Sequence, residues 1–158
     1  MTDPIRPTDD DARALARQLL TSARFGALAT HDPETGLPHV ARVAVGHDGG
    51  DALLLISELS LHTRHLGASP GAALLLGEPG DKGDPLTHPR MTIQGRCEEA
   101  DKARLRDAWL SDHPKTALYY DFADFRLLRL VGEAVHLNGG FGKAYLLAPA
   151  DLAARNGS

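Results

Sequence analysis

The stretch that decides the fold is residues 53–66, which read Leu-Leu-Leu-Ile-Ser-Glu-Leu-Ser-Leu-His-Thr-Arg-His-Leu. Four consecutive aliphatic residues indicate a buried strand, and the polar residues that follow leave room for a short helix over 60–68 before Ser69-Pro70 ends it. A helix start presents unpaired backbone N–H groups at the positive end of a dipole, so phosphate groups bind there readily. The stretch therefore predicts either a phosphate cradle or an ordinary helix start capped by Ser60.

The segments on either side alternate between strand character and turn chemistry. Apolar spacing predicts a helix at 9–23 and another at Asp101–Leu110, which ends before His113-Pro114. The predicted strands are Ala27–Thr30, His39–Val45, Ala52–Ser57, Ala72–Leu76, Met91–Glu98, Asp124–Leu130 and Glu133–Leu137. The proline- and glycine-rich residues 78–89 predict a mobile loop. This order favours one small barrel domain of the α+β class over residues 1–158.

Composition excludes several classes of function. The formal net charge of -4 and the pI near 6.0 give no global positive field, so we expect no nucleic-acid partner. No apolar run approaches the roughly 20 residues that a membrane span needs, so we expect no membrane insertion. Cys97 is the single cysteine, which excludes an internal disulfide. A single cysteine is typical of a reducing compartment, so we expect a cytoplasmic protein.

Three segments resemble one known family. Residues 57–66 are similar to the Ser-x-Leu-x-x-His-Thr-x-Asn-Leu motif of the pyridoxamine 5'-phosphate oxidase-like FMN-binding split barrels, particularly their haem-utilisation (HugZ-like) branch. Residues 83–95 resemble that branch's loop and following strand, and residues 124–144 resemble its closing strands and glycine-rich turn. The resemblance implies an antiparallel split β-barrel of six to seven strands with peripheral helices. It also implies a homodimer that holds FMN in the groove between its subunits.

The resemblance implies a set of cofactor-binding residues: Ala41, Arg42, Ser57, His62, Thr63, Arg64, Arg90 and Gln94. Those on 57–64 would hold the phosphate, with Arg64 assisting. Ala41 and Arg42 would lie along the flavin, Arg90 would face the polar edge of the ring, and Gln94 would lie on the same strand. The chain departs from the family pattern at Ala41, where a small polar residue is frequent, and at His65, which replaces Asn.

Other patterns in the sequence point to weaker alternatives. His62 and His65 have the three-residue spacing of a shared metal site, but no third ligand stands at a recognisable distance, so we expect no metal. The run Gly139-Gly140-Phe141-Gly142-Lys143 lacks the full spacing of a P-loop, which argues against ATP. Phe141 would either cover a ligand or cap the core.

Two classes of function follow from the resemblance. The first is an FMN-dependent oxidoreductase that acts on a small-molecule electron donor or acceptor, with haem breakdown among its versions. Vitamin oxidation is disfavoured, because the sequence ends at Asn156-Gly157-Ser158 without the arginine- and tryptophan-bearing segment of those enzymes. The second class is a noncatalytic FMN- or haem-binding or sensing module. No catalytic residue is identified, and both classes stay open.

Overall fold

Eight strands and three α-helices form residues 4–153, the part of the chain that the computed structural model describes. Their bounds are β1 Ile5–Arg6, α1 Asp10–Ser22, β2 Phe25–His31, β3 Pro38–Asp48, β4 Asp51–Ser57, α2 Leu61–Ala68, β5 Gly71–Leu76, β6 Arg90–Glu99, α3 Arg106–Asp112, β7 Phe125–Asn138 and β8 Ala144–Leu147. Short 3₁₀ turns lie at Pro85–Thr87, Pro114–Leu118 and Pro149–Leu152. Within this part of the chain, no helix is both long and apolar enough to cross a membrane.

Six of the strands close into an antiparallel barrel. Around the barrel the order is β7, β4, β3, β2, β5 and β6, and β6 pairs again with β7. Strand β8 extends the sheet beyond β7, and β1 adds to β8 in parallel. The α+β split-barrel class predicted from the sequence is therefore confirmed.

Alternation along the strands separates an inner face from an outer face. Inward-facing aliphatic residues fill the barrel, joined by Ala12, Ala16 and Leu20 of α1 and by Leu66 of α2. A smaller apolar cluster lies outside the barrel, where Trp109 of α3 covers Leu53, Leu55 and Leu127. The outer face of β4 and the first half of β7 is thus covered by packed chain.

The last barrel strand differs from the prediction of two strands at 124–130 and 133–137. Strand β7 continues through the Val131-Gly132 break, because the pairing with β6 shifts by one residue between Gln94 and Gly95 and leaves Glu133 as the extra residue. A Cβ on Gly95 would collide with the carbonyl oxygen of Val131, so this close approach requires glycine. The single long strand can therefore pair with β4, β6 and β8.

The predicted last residues of the helices lie closer to the observed ones than the predicted first residues do. The N–H of Ala12 donates to Asp9 Oδ1 at 2.8 Å, which caps α1 close to the predicted start. The prediction of helix from Asp101 is wrong: residues 102–105 form turns, and regular helix begins at Arg106. In this segment Asp101 Oδ1 accepts the N–H of Arg104 at 3.1 Å, which stabilises a turn. Strands β1 and β8 are not predicted from the sequence.

An opening separates the first half of β3 from the end of β4. Their pairing begins at Asp48–Asp51 and ends at Ala44–Leu55, after which β3 continues to Pro38 beside β2 alone. Val45 donates its N–H to the carbonyl of Arg24 at 2.9 Å, and alternation then directs the backbone groups of Arg42 and Val40 to the open edge. Helix α2 packs against β2 and β3 beside this edge.

A second part of the barrel is uncovered on its outer face. The side chains that face outward from β3, β2 and β5 include Val40, Phe25 and Leu75, which are 63%, 44% and 45% exposed. We call the outer surface of β3, β2, β5, β6 and the second half of β7 the open sheet face. An apolar surface of this kind is typical of an interaction or ligand site.

Candidate functional site

Four of the predicted residues lie together where β4 runs into α2, and we call Ser57, His62, Thr63 and Arg64 the helix-start group. Thr63 Oγ1 donates to the carbonyl of Ser57 at 2.6 Å, and the N–H of Ser60 donates to the same carbonyl at 3.1 Å. Ser57 Oγ accepts the N–H of Leu59 at 3.2 Å. These bonds fix the turn that leads into α2, and they use the hydroxyl proton of Thr63.

The start of α2 differs from that of α1 in its polar partners. Helix α1 has the Asp9 side-chain cap and two carboxylates, Asp10 and Asp11, in its first turn. Helix α2 has no acidic residue in its first turn, and the hydroxyl of Ser60 makes no cap hydrogen bond. Ser60 therefore occupies the N-cap position, as one of the two alternatives predicts, but its side chain does not cap the helix. The first N–H groups of α2 keep the capacity to bind an anion.

Histidines surround the buried side of α2. His65 Nδ1 lies 2.9 Å from Thr30 Oγ1, and its Nε2 lies 3.8 Å from Asp32 Oδ2. The ring of His39 meets the ring of His65 edge-on, with centroids 5.4 Å apart. Burial lowers the pKa of His62 from its ordinary value, and the nearby His39 and His65 lower it further. His62 is therefore held towards the neutral form.

The remaining predicted residues divide between the two faces of the sheet. Arg42 faces outward from β3, with its guanidinium carbon 5.6 Å from the centre of the Phe25 ring. Arg90 and Gln94 have the opposite parity on β6 to the buried Met91. Their side chains therefore lie on the open sheet face. Ala41 has the parity of the buried Val43 and faces inward, whereas the side chain of Arg42 faces outward.

The register of the strands relates the helix-start group to the predicted residues on the sheet. The β3–β4 pairing, if extended by two residues, would set Ser57 opposite Arg42, so these residues lie on either side of the opening. On the open sheet face, Arg42 aligns with Ala27, Leu75 and Thr92, and three strand spacings put Thr92 about 14 Å from Arg42. Arg90 and Gln94 flank Thr92 on β6. The predicted residues thus span a long surface and do not form one compact pocket.

Arginines in this region lack carboxylate partners. Within residues 4–153, no Asp or Glu oxygen lies within 4.0 Å of a guanidinium nitrogen of Arg42, Arg64 or Arg90. Arg90 instead donates to the carbonyls of Leu86 at 2.9 Å and His88 at 3.4 Å. Positive charge near the site is therefore available to an anionic ligand.

Two clefts indent the open sheet face on either side of Leu75. The Arg42 cleft has a volume of about 320 Å³ and is lined by Phe25, Val40 and Arg42 among others. The His136 cleft has a volume of about 310 Å³ and includes Arg90 and His136. The clefts share Leu75 as a wall. Their size is at the lower end of the range for small-ligand sites.

His136 is a further residue of this surface, and no function is predicted for it from the sequence. It faces outward from β7, and its Nε2 lies 3.1 Å from Gln94 Oε1 on the adjacent strand. The alternation of buried Val135 and Leu137 around it is the sequence signal that predicts its outward direction. An imidazole therefore stands beside the predicted ring-binding residues.

The structure bears on two alternatives, a metal site and the role of Phe141. In the described range, residues 4–153, no group of three or more His, Cys, Asp or Glu side chains is placed to hold a metal ion. Phe141 is 88% exposed, so the interpretation that it caps the core is wrong.

Comparison with known proteins gives consistent matches. The family model for pyridoxamine 5'-phosphate oxidase matches residues 12–139. The chain is 33% identical over 136 residues to the non-canonical heme oxygenase HOZ, chloroplastic, of Arabidopsis thaliana, a match that covers 82% of this chain and 41% of that protein. A solved heme binding protein from Mycobacterium smegmatis is 31% identical, with a TM-score of 0.82 over 94% of this chain and 61% of that chain. Campylobacter jejuni ChuZ also has a TM-score of 0.82, over 94% of this chain and 63% of that chain, but at 16% identity it supports the fold alone.

The environment of His62 predicts a pH-dependent stability. Because folding lowers the pKa of His62, the unfolded chain binds a proton that the folded chain binds less readily, and the free energy of unfolding falls as the pH drops below the ordinary histidine value. We expect His62→Gln to lose less stability than the wild type between about pH 7.5 and about pH 5 in urea titrations. The exposed His31 provides a control, His31→Gln. Equal pH dependence in the wild type and His62→Gln would contradict this assignment.

Proposed function

The chain belongs to the pyridoxamine 5'-phosphate oxidase family, and from this premise we propose that it binds haem on the open sheet face, between two copies of itself. The observation that carries the proposal is the apolar face flanked by Arg42 and Arg90, two cations that have no carboxylate partner among residues 4–153. Haem is a flat apolar ring that bears two carboxylates. This face therefore offers apolar residues for the ring and cations for the two carboxylates.

The relatives agree with this choice of ligand. One is named a heme oxygenase and another a heme binding protein, at 33% and 31% identity. The chain spans 41% of the length of the plant relative, so the activity of that whole protein enters here as a proposal only. Apolar contact with Leu75 and Val40 would hold the ring, while the two arginines would bind the propionates.

A homodimer would complete the site. Val40, Phe25 and Leu75 would be covered if two open sheet faces met around a two-fold axis, since such an interface uses the same patch on both subunits. The clefts beside Leu75 would then become enclosed between the subunits. Enclosure excludes water and strengthens the attraction between arginine and carboxylate.

If the protein is an oxidoreductase, bound haem would be its substrate, O2 would be the oxidant and a small-molecule electron donor would supply the electrons. In that case the residues named above would hold and orient the haem for this reaction. A noncatalytic haem-binding or sensing module would use the same residues without turnover. Loss of the haem Soret band after ascorbate is added in air would favour the oxidoreductase, and a stable band would favour the module. The cytoplasmic location stays a prediction.

Haemin titration tests the proposed site. We expect the wild type to bind haemin, and we expect Arg42→Ala and Arg90→Ala to weaken binding about ten- to a hundredfold each, the cost of one charge-assisted contact. Arg96→Ala is the matched control, because Arg96 is already paired with Glu133 at 3.1 Å. If the wild type fails to bind haemin, or if all three variants bind it like the wild type, the haem site is wrong.

FMN is a second candidate, favoured by the uncapped start of α2. We propose that the phosphate would lie at the first N–H groups of this helix, with Ser57, His62 and Arg64 around it and the ring extending past the open edge of β3 towards Arg90 and Gln94. Thr63 would contribute mainly by fixing the turn, since its hydroxyl proton is donated to Ser57. With FMN bound, the protein would be a flavin-dependent oxidoreductase or a flavin-binding module.

A comparison of FMN with riboflavin tests the second candidate. We expect His62→Ala to weaken FMN binding about ten- to a hundredfold and to leave riboflavin binding unchanged, because riboflavin lacks the phosphate. Backbone donors remain in the variant, so binding is weakened and not abolished. Fluorescence quenching measures both affinities. Equal FMN affinity in the wild type and His62→Ala would exclude a phosphate contact at this residue.

A further inference from the structure

The haem proposal so far leaves open what binds the iron. We propose that His136 is the axial ligand, with the haem ring lying over the His136 cleft. This inference rests on the proposed haem function and adds to it a single ligating side chain. Neutral histidine is a common protein ligand of haem iron.

The position of His136 suits a ligand to a flat ring. Its side chain projects outward from β7, between Thr92 of β6 and Leu146 of β8. Because an axial bond is perpendicular to the ring plane, iron held by an outward-facing imidazole places the ring along the sheet surface. The ring would then lie over the cleft that contains Arg90 and Leu75.

The neighbours of His136 match the parts of haem. Leu146 and Leu75 are 49% and 45% exposed, and strand spacing puts them about 5 Å and about 10 Å from the His136 backbone on opposite sides. Both can contact the apolar ring. Arg90 is two residues along β6 from Thr92 and lies at the edge of the same cleft, where a propionate would reach it.

Gln94 is the hydrogen-bond partner of the His136 imidazole. His136 Nε2 lies 3.1 Å from Gln94 Oε1, and both side chains are exposed. An exposed hydrogen bond contributes little net stability, so iron can replace Gln94 at Nε2 once the ring proton has moved from Nε2 to Nδ1. The Gln94 amide would then only compete with iron for Nε2. Removal of this amide should therefore not reduce haemin binding.

Two other side chains are alternative candidates for the iron ligand. His31 is exposed and shares the outward parity of β2, but it lies at the strand end and does not line either cleft. Tyr145 lines the His136 cleft and carries a phenol, which binds iron in some haem proteins. Its parity on β8, however, places it against the barrel core.

The experiment is a haemin titration of full-length variants, followed by resonance Raman spectroscopy of the reduced complexes. We expect the wild type to give an iron–imidazole stretching band. We expect His136→Ala to lose this band and to bind haemin about tenfold or more weakly, and added imidazole should restore the band. Gln94→Leu should keep the band, with affinity equal to the wild type or up to about fivefold tighter. His31→Ala should match the wild type, and circular dichroism confirms folding of each variant.

The outcomes separate the ligand from the haem site as a whole. A wild type that binds no haemin overturns both the proposed function and this inference. Tight binding with an unchanged iron–imidazole band in His136→Ala overturns the ligand assignment and leaves the haem site standing. Loss of the band in His31→Ala, or a wild-type spectrum of phenolate type that Tyr145→Phe abolishes, also assigns the ligand to another residue.

Discussion

The pairing of β7 with both β4 and β6 is the constraint on which the rest of the structure depends. One 14-residue strand closes the barrel, and its second half also carries β8. Because β4 is paired to β7 from Ala52 to Ser57, it can leave β3 after Leu55 without losing its place in the sheet. The edge of β3 and the start of α2 then face each other across an opening, as a split barrel requires.

Charge in this protein is placed locally, against a net charge of -4. Arginines on the covered side are held by carboxylates: Arg129 lies 2.6 Å from Asp48, and Arg106 lies 2.8 Å from Asp121. These bonds lower the pKa of Asp48 and of Asp121. Arg42 and Arg90 lack such partners within residues 4–153 and stand on the open sheet face. These two arginines and the uncovered apolar surface thus coincide, and the proposed haem site rests on this coincidence.

The sequence predicts much of this fold because most of its signals are local. Apolar spacing and an acidic start give α1, and aliphatic runs between glycine and proline turns give β2 to β6 and α2. The continuity of β7 depends on Gly95, which stands on another strand, and β8 depends on pairing with β7, so neither has a local signal. The helix-start group is predicted as a unit because its members are adjacent in sequence. The distance from Arg42 to Arg90 depends on the register of the strands between them, which has no local signal in the sequence. Alternation along β3 directs Ala41 inward, and the family resemblance takes no account of that alternation.

The central claim is that the open sheet face is a dimer interface that holds the ligand, and sedimentation velocity of Leu75→Glu with and without haemin tests it most directly. Leu75 is 45% exposed, so the folded monomer tolerates glutamate there, whereas an apolar two-fold interface would not. Leu118→Glu is the matched control, because Leu118 is 80% exposed and lies in the 3₁₀ turn Pro114–Leu118, away from this face. The account predicts a haemin-binding dimer for the wild type and Leu118→Glu, and a monomer that has lost haemin for Leu75→Glu. A Leu75→Glu protein that stays dimeric and binds haemin like the wild type would contradict it.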